Sequence, residues 1–436
     1  GPSGPAAAEY KKLLGDEEPW ERYVEALQSH LSGVQRGELT DPQPQDTYLA
    51  LARTQHEVLM LVEDAMTTLR EGLAACDNDL VLQRELADRL GATGRVDEAV
   101  AEYRRILATD LTNEEVWRGM ARCYHEAGRL PEAGVVLAPL LVFGVGTDKE
   151  TRIAQQRRVR PGWAQPDSLD GAALQAISAG EQGEETRIET LLTIISEGIA
   201  KLYPPDFDSY GVSSRDRIAE RADHPLRSLC DELAKAFGVT DYDLYIHGSP
   251  TTDVVAEVGQ PPAIMVPQFV SDVPLAERVF IVARAFALLA RDMHPVVTLG
   301  RRELGRLVAA ALQGVAPGYG ADRYTQDELT RLHKRLIKAL SRRNRKALEQ
   351  AAAQLLTEPA VDFDRWGQTV ELTSARAAAL VANDLPAAIA ALRRTGATLP
   401  NVEGAALVHG SVTVTDLLHF WASEAAFECR RAAGIL

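Results

Sequence analysis

Hydrophobic residues recur at helical spacing along most of this chain, and the polar positions between them mark where helices start and stop. Trp20, Tyr23, Leu27 and Leu31 predict a helix over residues 8–32, which Gly33 can end. The segment Thr40-Asp41-Pro42-Gln43-Pro44 breaks that pattern. Leu51, Val58, Leu61, Ala65 and Leu69 then form one helical stripe between Thr47 and Cys76. From Asp79 to Leu141 the pattern acquires a period. Gln83, Leu86, Ala87, Leu90, Gly94, Ala99, Tyr103 and Ile106 return 34 residues later as Trp117, Met120, Ala121, Tyr124, Gly128, Ala133, Leu137 and Leu140. Small residues recur where two helices must touch, and large apolar ones where the next helix packs.

Residues 144–168 interrupt the helical pattern with Gly144, Gly146, a basic stretch from Arg152 to Arg160, and then Pro161, Gly162 and Pro166, and read as a linker. Beyond Leu169, helices are predicted at 171–179, 184–203 and 222–237, with Gly238 as a stop. The period changes to two at Asp241, where Tyr242, Leu244 and Ile246 alternate with Asp243, Tyr245 and His247. Short strands follow at 254–258 and 263–266. Residues 275–291 carry Val279, Phe280, Val282, Ala283, Phe286, Ala287, Leu289 and Ala290, which predicts a helix buried on most sides. From Thr325 the chain is helical again. Further helices are expected around Trp366 to Leu380, ended near Asn383-Asp384, over Leu385 to Thr395, and from Val414 to Cys429.

The repeated unit resembles the tetratricopeptide repeat, whose pattern is W-x2-L-G-x2-Y followed by Ala, an aromatic residue and Pro. Trp117, Tyr124, Ala99 and Tyr103 match it, whereas Gln83 stands where Trp is expected and Leu111 where Pro is expected. The stripe between Thr47 and Cys76 reads as a degenerate repeat under the first clear one. The resemblance implies stacked helix pairs with a concave surface able to hold a peptide or helix. It places Arg84, Asp88, Arg118 and Arg122 on the face turned toward a ligand channel, one and five positions past Gln83 and Trp117. A protein partner in that groove is the expected ligand, and because two repeats make only a short groove, either an extra flanking helix or self-association is expected as well.

The order of helices, strands and a buried helix over residues 222–322 resembles the gluzincin-type HExxH zinc peptidases. Aligned on the apolar pattern, the first ligand position falls on Arg284, the catalytic Glu on Ala285 and the second ligand on Leu288. None of the three can do that work, because zinc needs neutral imidazoles or carboxylates and its water needs a general base. Gly318-Tyr319-Gly320-Ala321-Asp322 echoes the family's downstream Glu-x-x-Ala-Asp motif without its Glu. The resemblance implies a pseudo-peptidase that has lost its metal. The other reading is an unrelated α+β domain with a buried helix.

Composition narrows the function classes. A net charge of −15 argues against broad nucleic-acid or membrane-surface binding. Arg331, Lys334, Arg335, Lys338, Arg342, Arg343, Arg345 and Lys346 form a basic run, but Leu332, Leu336, Ile337, Leu340 and Leu348 interleave at helical spacing, which predicts one face on the core and one in water. Cys76, Cys123, Cys230 and Cys429 are scattered, and read as buried thiols in a reducing compartment. No apolar run reaches the roughly 20 residues that span a bilayer. His56, His125, His247, His294, His333, His409 and His419 lack metal-ligand neighbours at i+3 or i+4, and each reads as a surface or hydrogen-bonded core residue. Glu181 and Glu185 read as solvated surface, and no phosphate-binding or nucleophile motif is present. Gly1-Pro2-Ser3-Gly4-Pro5 looks like a protease-cleavage scar.

These readings combine into a mainly α cytoplasmic protein. It has an N-terminal helix and linker at 1–45, repeats at 46–143, a linker at 144–168, an α+β domain with a small sheet at 169–322 and a helical domain at 323–436. The expected role is a non-catalytic adaptor or scaffold without cofactor or metal. The alternative is a hydrolase with an unrecognised site in the central domain.

Overall fold

The computed structural model describes residues 20–156, 160–180, 184–357, 362–396 and 399–436. The cleavage scar, the first half of the helix expected over 8–32, and Glu181 lie outside them. The chain divides into two compact units, residues 1–140 and 141–436.

Unit 1 is a series of antiparallel helices. They are α1 (Trp20–Gln35), α2 (Pro44–Glu57), α3 (Val62–Ala75), α4 (Leu80–Ala92), α5 (Val96–Thr109), α6 (Glu114–Glu126) and α7 (Leu130–Val142). Helix α1 runs past Gly33, which is buried inside it, and the left-handed turn falls on Gly37 instead. The stripe from Thr47 to Cys76 forms two helices, α2 and α3. Helices α3, α5 and α7 begin at Val62, Val96 and Leu130, so the 34-residue period extends one repeat upstream of the pair visible in the sequence. Ala65, Ala99 and Ala133 occupy the equivalent position in each, and all three are buried. Gly94 and Gly128 take the left-handed turn that precedes α5 and α7. The equivalent residue before α3 is Met60, held at φ 56°. Helix starts are capped by side chains: Asp79 accepts from the amides of Val81 and Leu82, and Asn113 from Val116. Trp117 is fully buried and donates from its indole nitrogen to the Leu111 carbonyl at 2.8 Å.

Unit 2 opens with α8 (Asp148–Gln156), inside the stretch read as a linker. Residues 162–169 do not hang free: the amides of Gly162, Gln165, Asp167 and Leu169 donate to carbonyls of Val381, Ala433, Lys235 and Ala236. Then follow α9 (Gly171–Ala176), α10 (Glu184–Leu202), α11 (Pro225–Phe237), β1 (Asp243–His247), β2 (Val255–Glu257), β3 (Ala263–Pro267), α12 (Leu275–Leu289), α13 (Pro295–Thr298), α14 (Gly300–Leu312), α15 (Gln326–Ala339), α16 (Arg342–Leu355), α17 (Phe363–Ala382), α18 (Leu385–Arg394), α19 (Gly404–Gly410), α20 (Val412–Trp421) and α21 (Glu424–Ala433). The last predicted helix is thus two, broken at Ala422-Ser423.

The strands form one sheet in the order β1-β3-β2, with β3 parallel to β1 and antiparallel to β2. Alternation along β1 does not separate core from solvent, because both faces are covered. One face of the sheet carries Tyr245, Ala263 and Met265 under Phe207, Tyr210 and Val212. Helix α12 packs against β2, α11, α17 and α18, and Val279 to Ala283 are all fully buried. Its closest partner, α17, presents Ala375 and Ala377 to Ala379, small enough for close helix contact. The expected boundary at 322/323 crosses a single core: Ile188, Ile195, Leu304, Leu307, Leu332, Leu336 and Trp366 belong to one buried cluster. The eight residues of the basic run all lie exposed on α15 and α16, while Leu332, Leu336, Leu340 and Leu348 enter that cluster.

Candidate functional site

Two places answer to the sequence readings: the repeat face of unit 1 and the surroundings of α12.

On the repeat face, Arg84 and Asp88 stand one turn apart on α4, 3.9 Å between charged atoms. Arg122 of α6 reaches back across the repeat junction, and its Nη2 donates to Asp88 Oδ1 at 3.0 Å. Tyr103 of α5 donates to the same oxygen at 2.7 Å. Burial first, and the Asp88 charge second, push the Tyr103 hydroxyl well above its usual range, so it stays a donor. Asp88 is therefore a junction that ties three helices together. Arg118 pairs within its own helix, with Glu114 at 2.9 Å. Arg84 and Arg122 are exposed, whereas Asp88 and Arg118 are half-buried. All four expected residues occupy one side of helices α4 and α6, and the two exposed ones, Arg84 and Arg122, both pair with Asp88.

The sequence reading missed a ladder of ion pairs between repeats. Arg129 pairs with Asp97 at 2.7 Å and Arg95 with Glu63 at 3.4 Å. Each also turns to an acid three residues ahead, Glu132 and Glu98. Arg95 and Arg129 are themselves one repeat apart, as are Glu63 and Asp97. The signal was present in the sequence as like charges at the repeat period.

Around α12, the position aligned to a first zinc ligand is filled by an ion pair. Arg284 Nη1 donates to Asp253 Oδ2 at 2.9 Å. Ala285 and Leu288 are buried, and Leu288 joins the main core of unit 2 with Val258. Among the described residues no group of three or more His, Cys, Asp or Glu is placed to hold a metal ion.

Two histidines depart from the expectation of a surface or hydrogen-bonded residue. His247, at the end of β1, has no hydrogen-bond partner for either ring nitrogen among the described residues and is 2% exposed. It packs against the Tyr210 ring, whose hydroxyl donates to Glu257 at 2.7 Å. Burial lowers the His247 imidazole and raises the Glu257 carboxyl, so both are driven toward their neutral forms. His294 is also buried, its Nδ1 has no partner among the described residues, and burial pushes it down to about 4. His333 meets the expectation, with its Nδ1 2.8 Å from the Ala310 carbonyl. Of the cysteines, Cys123 and Cys230 are buried but Cys76 and Cys429 are half-buried, and all are free thiols.

A tetratricopeptide repeat family model matches residues 92–142. The match runs from the end of α4 through α7 and touches none of residues 222–322. No curated protein and no solved structure matches the chain. Such repeats generally mediate protein interactions. No helix among the described residues is long and apolar enough to cross a membrane.

Proposed function

We infer that the chain is a non-catalytic adaptor whose repeat array captures a protein partner along the face formed by α4 and α6. The observation that carries this reading is the pair Arg84 and Arg122, exposed on adjacent repeats and anchored by one shared carboxylate, Asp88. Guanidinium groups exposed on adjacent repeats suit carboxylates on an extended peptide or helix. The test is capture by the full chain, comparing wild type with an Arg84→Gln, Arg122→Gln double variant. Glutamine at both positions keeps a donor for Asp88 and avoids setting two acids against each other at the junction. The expected result is loss of a specific captured protein at an unchanged melting temperature. Capture that survives would move the binding surface elsewhere.

Unit 2 is read as a companion domain with a peptidase-like layout and no chemistry of its own. In favour of the layout, one sheet packs against α12, as the resemblance requires. In favour of lost chemistry, Arg284 is committed to Asp253 where a ligand would stand. Stoichiometric zinc in the purified chain would overturn this. The competing hydrolase reading has one observation behind it: Asp292, whose carboxyl burial raises, and His294, whose imidazole burial lowers, line one cavity.

A further inference from the structure

That cavity has about 310 Å³ of space, at the small end for ligand pockets. It lies between the C-terminal half of α10, the loop after α11, the β2–β3 turn and the chain leaving α12. Ile199, Val258 and Leu289 give it an apolar wall. Its ionisable lining is Asp292, His294 and the exposed Asp241. No lysine or arginine is among the described residues that line it.

Asp292 is held in place by the backbone. It takes a left-handed conformation, φ 56°, directly after α12, and its amide donates to the Leu289 carbonyl at 3.0 Å. Burial raises its carboxyl, and a hydrogen bond from Thr193 offsets this only in part. Among the described residues no cation pairs with it. A half-buried carboxyl such as that of Asp292, with no cation beside it, is costly to ionise, and a positive ligand offsets that cost. His294 does not compete for the role, since at neutral pH its buried ring carries no charge. Among the described residues no three of the cavity's ionisable groups are placed to hold a metal ion, and a bare ion would leave the apolar wall unused.

We propose that this cavity binds an alkylammonium group, with the charge on the Asp292 carboxylate and the carbon chain against Ile199, Val258 and Leu289. The site is independent of the repeat surface and of the adaptor reading. The group has two sources, a free aliphatic amine or a lysine side chain of a protein, and separate arms of one experiment distinguish them.

The full chain is titrated calorimetrically with n-pentylamine, with Nα-acetyl-lysinamide and with 1-pentanol as a neutral isostere. At least one amine is expected to bind roughly tenfold or more tightly than the alcohol. Binding of pentylamine alone identifies a free amine, and binding of the lysinamide identifies a side chain. Asp292→Asn is expected to weaken the amine by roughly tenfold or more, because asparagine tolerates the left-handed backbone but carries no charge. Equal binding of pentanol and pentylamine would overturn the proposal. So would the absence of binding in both amine arms, or unchanged affinity in Asp292→Asn. Should that variant misfold, the amine-to-alcohol comparison on the wild-type chain decides by itself.

Discussion

The two units are held together over different distances along the chain. In unit 1 the ion pairs step from one repeat to the next: Arg129 to Asp97 and Arg95 to Glu63, each 32 residues apart. In unit 2, Arg376 grips Asp416 with two hydrogen bonds, 2.8 and 2.6 Å, and reaches the carbonyls of Ile177 and Ser178, 199 and 198 residues away. Tyr203 bonds to Glu303 and Arg291 to Glu189, 100 and 102 residues apart. A repeat array leans on its neighbours, so its stability is a sum of local terms. Unit 2 closes only when distant segments have arrived, so its core stands or falls together.

The largest effects test that contrast directly. Trp117→Ala and Arg376→Ala should each cost about 3–5 kcal/mol, the first by emptying a packed site and the second by stranding a half-buried Asp416. Hydrogen exchange should show a graded loss centred on α5 to α7 for Trp117→Ala. It should show one common loss across α10, α12, α17 and α20 for Arg376→Ala. An even loss over α2 to α7, or a loss confined to α17 and α20, would break the comparison.

Acid should separate the units next. His294 has its folded pKa lowered from 6.5 to about 4 by burial. The folded state then binds fewer protons than the unfolded one, so stability falls as pH drops from about 6.5 toward 4. The loss from this group reaches about 3 kcal/mol by pH 4. Asp292 and Glu257 act in the opposite sense, because raised carboxyls stabilise the fold once protonated. A difference measurement isolates the histidine: His294→Gln should flatten the decline in stability between pH 6.5 and 4 relative to wild type. In unit 1, burial works against ionised Glu85, but Arg53 and Arg89 hold it below its ordinary 4.5. Its contribution is present above 4.5 and is lost only as pH falls through that lower value. Parallel acid unfolding of both units by exchange would contradict this ordering.

The smallest effect sharpens the repeat assignment. Met60 is 74% exposed and stands at φ 56° where Gly94 and Gly128 serve the later repeats. A non-glycine residue costs about 1–2 kcal/mol there, partly offset by the greater freedom of an unfolded glycine. Met60→Gly should therefore stabilise the chain by about 0.5–1 kcal/mol, read from the denaturation midpoint. A loss of stability would mean that the α2–α3 turn is not built like the other two.

That same residue explains what was hard to read. The second and third helix pairs were visible because glycine, alanine and aromatic residues recur at one spacing. The first pair kept Ala65 but replaced the turn glycine by Met60, so one stripe concealed two helices. That Arg84, Asp88, Arg118 and Arg122 share one side of α4 and α6 was also legible, since helical spacing puts them there. That Asp88 is bound by Tyr103 and Arg122 was not, because the bonds cross between helices.

Local pattern thus determined the elements: the mainly helical content, the repeat period, the three short strands and the buried character of α12 follow from periodicity and turn chemistry within a few residues. Tertiary structure alone decided the rest. In Cys429-Arg430-Arg431, nothing nearby tells that Arg430 is fully buried against Trp421 and Phe427 while Arg431 meets Glu424 at the surface. The same holds for His294 and Asp292, whose shared cavity is walled by segments from Ser196 to Pro295. Burial of a polar group depends on what packs over it, and that covering comes from parts of the chain far away in sequence.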